Sequence, residues 1–266
     1  MTVFIVRHGE SIANINPKLA FHPDYKGIKD EEIGVTEWGY RQALEAGEVI
    51  SEKLSEAEGA SRKVKIFHSP FLRAKQTSQA IRSQLADKEN VEVVEDSNLR
   101  EQCFGLFNCV TDRRAIAKKW PKENAQFIAA RKENRHTAKP PNGIDCDGAE
   151  IISESRADVV ERAKQFLSDH AETLEDPNTD VIIVGHGMVN RTLEMVMLNK
   201  DVEWLRKEDN PKNCAVRVIE NPAEQAVGDT VHEGKCRPYS LPQSHLVEPY
   251  EGGCKTSYAQ ASARHI

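Results

Sequence analysis

Apolar and polar positions follow two different rhythms along the chain, and the switches between them outline its elements. Residues 3–6 are apolar without a break, which predicts a buried strand over 2–6. "KVKIF" at 63–67 and "VEVVE" at 91–95 alternate with the period of a strand. "DVIIVGHG" at 180–187 is a second apolar run that ends in a histidine, and "AVRVIE" at 215–220 reads as the last strand. Helical spacing fills the gaps. Behind a capping Thr36 come Tyr40, Ala43, Leu44, Gly47, Ile50 and Leu54. Phe71, Ala74, Ser78, Ile81 and Leu85 line a second helix, with Pro70 tolerated in its first turn. A long helix over 154–175 turns Val160, Ala163, Leu167, Ala171 and Leu174 inward, and another runs from about 188 to 199.

Strands that alternate with helices predict an α/β fold, a three-layer α/β/α sandwich around a mostly parallel sheet. Pro17, Pro23, Gly27 and Gly34 mark 15–34 as a loop. Pro121, Pro140, Pro141 and Gly143 interrupt 103–149, which reads as a partly helical insertion. From 221 to 266 prolines and glycines recur with no sustained period, so this stretch is expected to be an irregular, partly or wholly disordered extension. The division is therefore a catalytic domain at 1–220 and an extension at 221–266.

A chain of 266 residues with a formal charge of -6 is not built as a whole to bind nucleic acid or an anionic membrane. No apolar stretch reaches the roughly 20 residues of a membrane helix, and the N-terminus carries no basic leader. Cys103, Cys109, Cys146, Cys214, Cys236 and Cys254 are then expected to be reduced thiols in a cytoplasmic protein.

Three strands end in polar residues suited to one task. The first ends in Arg7-His8-Gly9, the second in His68-Ser69-Pro70 with Arg73 one turn later, and the fourth in Gly185-His186-Gly187. In a parallel sheet these ends share an edge, where open α/β sheets bind ligands. Two arginines and two histidines converging there suit a phosphate. Guanidinium groups match phosphate oxygens, a neutral imidazole attacks phosphorus, and a second histidine can hold an oxygen as charge develops. A metal is the rival use of paired histidines. Two neighbouring arginines would repel a divalent cation, and no ligand cluster accompanies them, so no metal and no cofactor are expected. In the extension, His232, Cys236, His245 and Cys254 match no zinc spacing.

These residues fall into a recognisable series. Arg7-His8-Gly9-Glu10 with Asn14, "VTEWGYRQA" at 35–43, "HSPFLRAKQT" at 68–77, "LREQCFG" at 99–105 and His186-Gly187 resemble, in order, the motifs of the histidine phosphatase superfamily, on its phosphoglycerate-mutase-like branch. The resemblance implies that His8 is the nucleophile that becomes phosphohistidine. It makes Arg7, Arg73 and His186 the phosphate pocket, with Asn14 and Gly187 also on the phosphate, and Glu101 the proton donor to the leaving group. It also implies that the 103–149 insertion covers the active site.

The expected activity is metal-free hydrolysis of a small phosphomonoester. A mutase is the alternative, but mutases of the family continue the acid motif as E-R-H-Y-G-x-L-x-G-L-N-K, whereas this chain has "EQCFGLFNCVTDRR". A phospho-ligand-binding scaffold is the other, and Glu101 argues against it, because binding alone needs no proton donor. His68 replaces the family's usual serine and is expected at the pocket rim or packed at the strand end. Cys103 is not expected to be reactive. Arg113 and Arg114, in the insertion, are expected to be solvated.

Overall fold

β1 (Thr2–Arg7) lies inside a six-stranded sheet and is flanked by strands from the far end of the chain. The structure, a computed structural model, describes residues 1–16, 28–56, 62–86, 88–108, 110, 112–145, 147–220 and 228–233. After β1 come the short α1 (Ile12–Ile15), α2 (Glu37–Glu56), β2 (Lys63–His68), α3 (Leu72–Gln84) and β3 (Val91–Glu95). The insertion holds α4 (Arg113–Lys119), α5 (Pro121–Glu133) and a small hairpin, β4 (Gly143–Ile144) with β5 (Glu150–Ile151). The chain returns through α6 (Arg156–Asp169), α7 (Ala171–Glu175), β6 (Thr179–Gly185), α8 (Gly187–Met197), α9 (Val202–Lys207), β7 (Val216–Glu220) and β8 (Gly228–His232).

The large sheet has the order β3-β2-β6-β1-β7-β8. β3, β2, β6 and β1 are mutually parallel, whereas β7 and β8 are antiparallel additions at one edge. Alternation along the strands divides the core. Val3, Ile5, Val181 and Ile183 face α6 and α8, where Val159, Phe166 and Leu193 meet them. Phe4, Val6, Ile182 and Val184 face α2 and α3, against Ala43, Ile50 and Ile81. Each fully buried side chain of this size contributes roughly 1.5–3 kcal/mol. The result is the α/β/α sandwich expected from the sequence.

Three details differ from the sequence reading. The helix expected over 154–175 is broken at His170. Its Nε2 bonds Asp96 Oδ2 at 2.7 Å, and its ring packs on Phe67 and Phe166, so a tertiary contact overrides the helical period. The insertion continues to Ile151, past its expected end at 149, because β5 must pair with β4. The sheet also continues past residue 220: β8 pairs with β7 from inside the expected extension. Cys109, Cys146 and the remainder of that extension, including Cys236, His245 and Cys254, lie outside the described residues, as do residues 17–27 of the first loop.

Candidate active site

Register levels the strand ends. β1 pairs with β6 as far as Arg7 opposite Gly185, and β6 pairs with β2 as far as His68 opposite Val184. The ladder continues one step further: His8 N–H donates to Gly185 O at 2.9 Å, and Ser69 N–H to Val184 O at 3.0 Å. His8 and His186 thus emerge side by side, with ring centroids 5.0 Å apart.

Hydrogen bonding sets the state of His8. Its Nδ1–H donates to Gly9 O at 2.7 Å, so in the neutral ring Nε2 carries the free lone pair. Burial, then the charges of Arg73 and Arg7, hold its pKa well below the usual imidazole value. His186 is fully buried and is held low first by burial, then by Arg73, His8 and Arg7. Its Nε2 and the Ser69 hydroxyl are hydrogen-bonded at 2.8 Å, and the ring packs edge-on to Phe71. Its Nδ1 is buried and has no partner among the described residues, an orphan that invites a ligand oxygen.

The loop after β1 is built on close backbone approach. A Cβ on Gly9 would stand 2.3 Å from Gly39 O, so only glycine fits there. Gly9 N–H donates to Thr77 Oγ1, and that hydroxyl donates to Arg73 O, which ties the loop to the helix that carries Arg73. Asn14 Oδ1 accepts from Ser11 N–H at 3.0 Å and from Asn213 Nδ2 at 3.1 Å, which leaves its amide nitrogen as a donor.

Two arginines flank His8. Arg7 Nη1 donates to Pro211 O at 2.6 Å, and its buried Nε has no partner among the described residues. Arg73 is buried, stacks on Phe71, and donates from Nη1 to Asp30 O and Oδ1. Glu101 Oε1 accepts from Gln102 N–H at 2.9 Å and Met188 N–H at 3.3 Å. The segment around Glu101 is clamped by Glu154, which accepts from Cys103 N–H at 3.0 Å through Oε2 and from the Gln102 side chain through its carbonyl.

Arg7, His8, Asn14, Arg73 and Glu101 line one cleft of about 350 Å3. His186 stands behind His8 without lining it. Gly187 does not line it either: a Cβ there would stand 2.0 Å from Asn210 Oδ1, so the glycine admits Asn210, which does line the cleft. Arg113 and Arg114 are exposed and outside the cleft, and Cys103 is half-buried. His68 is packed at the strand end, donating Nδ1–H to Ser69 O. Sequence reasoning passed over Asp30, Arg131, Arg135, Arg156 and Arg191, all of which line the cleft. Arg131 in the last turn of α5 and Arg135 in the turn after it, four apart, were the available signal.

The model of the histidine phosphatase superfamily (branch 1) matches residues 3–232. The chain belongs to the histidine phosphatase superfamily. The match includes β8 and so runs past residue 220. Among curated relatives, phosphoglycerate mutase-like protein AT74H of Arabidopsis thaliana is 28% identical over 249 residues, covering 88% of this chain and 78% of that one. A 2,3-bisphosphoglycerate-dependent phosphoglycerate mutase of Corynebacterium jeikeium is 26% identical over 205 residues, 72% of each chain. The fold is shared with mycobacterial glucosyl-3-phosphoglycerate phosphatase (TM-score 0.59, 20% identity, 86% of this chain and 96% of that one). It is shared also with α-ribazole phosphatase of Shigella flexneri (TM-score 0.61, 18% identity, 87% and 96%). Membership in this superfamily makes the chain a phosphatase- or phosphoglycerate-mutase-like enzyme. No helix among the described residues is long and apolar enough to cross a membrane.

Proposed function

We propose that the protein hydrolyses a small phosphomonoester through a phosphohistidine on His8. The observation that carries this reading is the state of His8: neutral, with Nδ1–H held by Gly9 O and Nε2 free, between two guanidinium groups. In the first step the Nε2 lone pair forms a bond to phosphorus while the ester P–O bond breaks. Glu101, as a carboxylic acid, gives its proton to the departing oxygen. In the second step the Glu101 carboxylate takes a proton from water, the water oxygen bonds to phosphorus, and the N–P bond breaks to release phosphate. Arg7, Arg73 and His186 hold the equatorial oxygens, with Asn14 as a further donor. Gly187 contributes by letting Asn210 approach. Phosphoryl transfer to water rather than to a second hydroxyl is favoured by the absence of the mutase continuation after Glu101.

Rapid quench with a nitrophenyl phosphate tests this. Glu101→Gln is expected to accumulate an acid-labile, base-stable phosphoenzyme, because this leaving group departs without a proton. His8→Ala is expected to form none. On an alkyl phosphate Glu101→Gln should lose roughly 10²–10⁴-fold in rate. A phosphoenzyme in His8→Ala, or equal losses on both substrates in Glu101→Gln, would overturn the assignment.

A further inference from the structure

The cleft carries more positive charge than one phosphate uses. Arg7, Arg73, Arg131, Arg135, Arg156 and Arg191 line it, and the carboxylates among its described lining residues are Asp30 and Glu101, which leaves a net charge of +4 with His8 neutral. A bound phosphomonoester dianion would leave +2. Arg7 and Arg73 belong to the reacting phosphate. The other four come from the cap and from the helices behind it: the end of α5, the turn after it, the first turn of α6, and α8.

Three of these four have no carboxylate partner among the described residues. Arg135 and Arg156 have neither an ion pair nor a hydrogen bond among the described residues. Arg131 rests on the Phe127 ring at 5.4 Å. Arg191 differs: it donates to Gly187 O at 3.0 Å and Glu208 O at 2.9 Å, and the charges of Glu101, Glu208 and Asp209 act on it. Burial, and then Arg135, Arg191 and Arg131, lower the pKa of Arg156 to about 10, so the cluster repels itself while empty. Guanidinium groups held together at a cleft wall, three of the four without a carboxylate partner among the described residues, are arranged for an anion with several oxygens.

Resting on the phosphatase reading above, we propose that Arg131, Arg135, Arg156 and Arg191 form a subsite for a second phosphoryl group, so that the substrate is a small bisphosphorylated compound. The reacting phosphate sits at His8, and the other, which is not transferred, sits in the arginine cluster. The charge balance selects a dianion: a carboxylate would neutralise half of the excess.

Non-hydrolysable ligands test the subsite without relying on turnover. Calorimetric titration of the full chain would compare α,ω-alkanediphosphonates of two to six carbons with the matching alkylphosphonates and ω-phosphonocarboxylates. The best diphosphonate is expected to bind roughly tenfold or more tightly than its alkylphosphonate, the scale of one or two charge-assisted bonds. Arg135→Gln and Arg156→Gln, on separate elements, should each erase most of that advantage and leave alkylphosphonate binding nearly unchanged. No diphosphonate advantage at any length, or an advantage that survives both substitutions, would overturn the subsite. A phosphonocarboxylate that binds as well as the diphosphonate would overturn the choice of a dianion. Turnover of nitrophenyl phosphate by the same proteins reports on the hydrolase separately. Silence there, with the diphosphonate preference intact, would remove the catalytic reading and keep the subsite.

Discussion

Arg162 holds Glu154 in a two-pronged grip, Nε on Oε1 at 2.8 Å and Nη2 on Oε2 at 3.0 Å. The same Arg162 donates from Nη1 to Arg100 O, while Glu154 takes the N–H of Cys103, so the pair brackets Glu101 on both sides. Burial, the largest single influence, pushes the Glu154 carboxyl up. The bonds and charge of Arg162, then Cys103 N–H and Arg100, more than offset it and leave the pKa lowered. Glu154→Gln strands a buried guanidinium, which commonly costs about 3–5 kcal/mol. We expect a lower Tm and a larger rate difference between nitrophenyl and alkyl leaving groups, because a loosened Glu101 protonates the alkyl oxygen less well. The double variant Glu154→Leu/Arg162→Met should recover much of the stability but not the rate on alkyl phosphates. Recovery of both would mean that the pair does not position Glu101.

Acid stability follows from the two active-site histidines. Both have pKa values well below 6.5 in the folded protein, so between about pH 6.5 and the native values the unfolded chain binds protons that the folded chain does not. Stability is therefore unaffected by these groups above that window and falls as pH drops into it, by up to about 1.4 kcal/mol per pH unit for each histidine. Urea unfolding at pH 7.0 and 5.5 measures the slope, and His186→Gln should make it shallower. An unchanged slope would show that His186 titrates normally.

Chelation should leave turnover of nitrophenyl phosphate intact. A cleft with net charge +4 among its described residues repels a divalent cation, and Arg7 and Arg73 already supply the charge that a metal would bring. Activity lost in excess EDTA and restored by one metal ion would contradict this.

Gly39→Ala should damage the site from a distance. A Cβ there would stand 2.1 Å from Glu10 O, and backbone cannot move aside as a flexible side chain can. The loop after His8 must shift, at a cost of roughly 1–3 kcal/mol for overpacking. The expected result is a lower Tm and a fall in kcat, measured on nitrophenyl phosphate, with the cleft residues unaltered.

Truncation locates the end of the catalytic unit. A chain cut after residue 233 keeps β8 and the whole family-matched segment, and should fold and turn over substrate. A chain cut after 222 loses β8 and exposes the β7 edge, so a lower Tm and a tendency to associate are expected. Equal behaviour of the two would return the boundary to residue 220.

Most of the fold was legible because two of its four parallel strands, β1 and β6, are apolar runs with abrupt polar ends, and the other two, β2 and β3, alternate with the period of a strand. The candidate catalytic group was legible because Arg7-His8 and His186 are strand-end residues with local sequence signatures. β8 was not legible. "GDTVH" has no apolar run, and the strand exists by backbone pairing with β7. The break at His170 was hidden because its cause, Asp96, is distant in sequence. The arginine cluster was hidden most deeply. Its members lie at 131, 135, 156 and 191 on different elements, and no local spacing can announce a group that only the tertiary structure assembles.

The distance between the two imidazoles is inherited rather than adjusted. His8 and His186 each follow the last paired residue of adjacent parallel strands, and their 5.0 Å ring separation is close to the roughly 4.8 Å repeat between neighbouring strands of any sheet. The sheet spaces the two residues, and strand-end contacts then hold the rings, Gly9 O on His8 and the Ser69 hydroxyl and Phe71 on His186. The histidine pair is therefore positioned by residues outside the insertion. Residues 103–151 can be exchanged, lengthened or recharged without detuning the histidine pair, which makes the cap the natural place to graft a new substrate preference onto this chain.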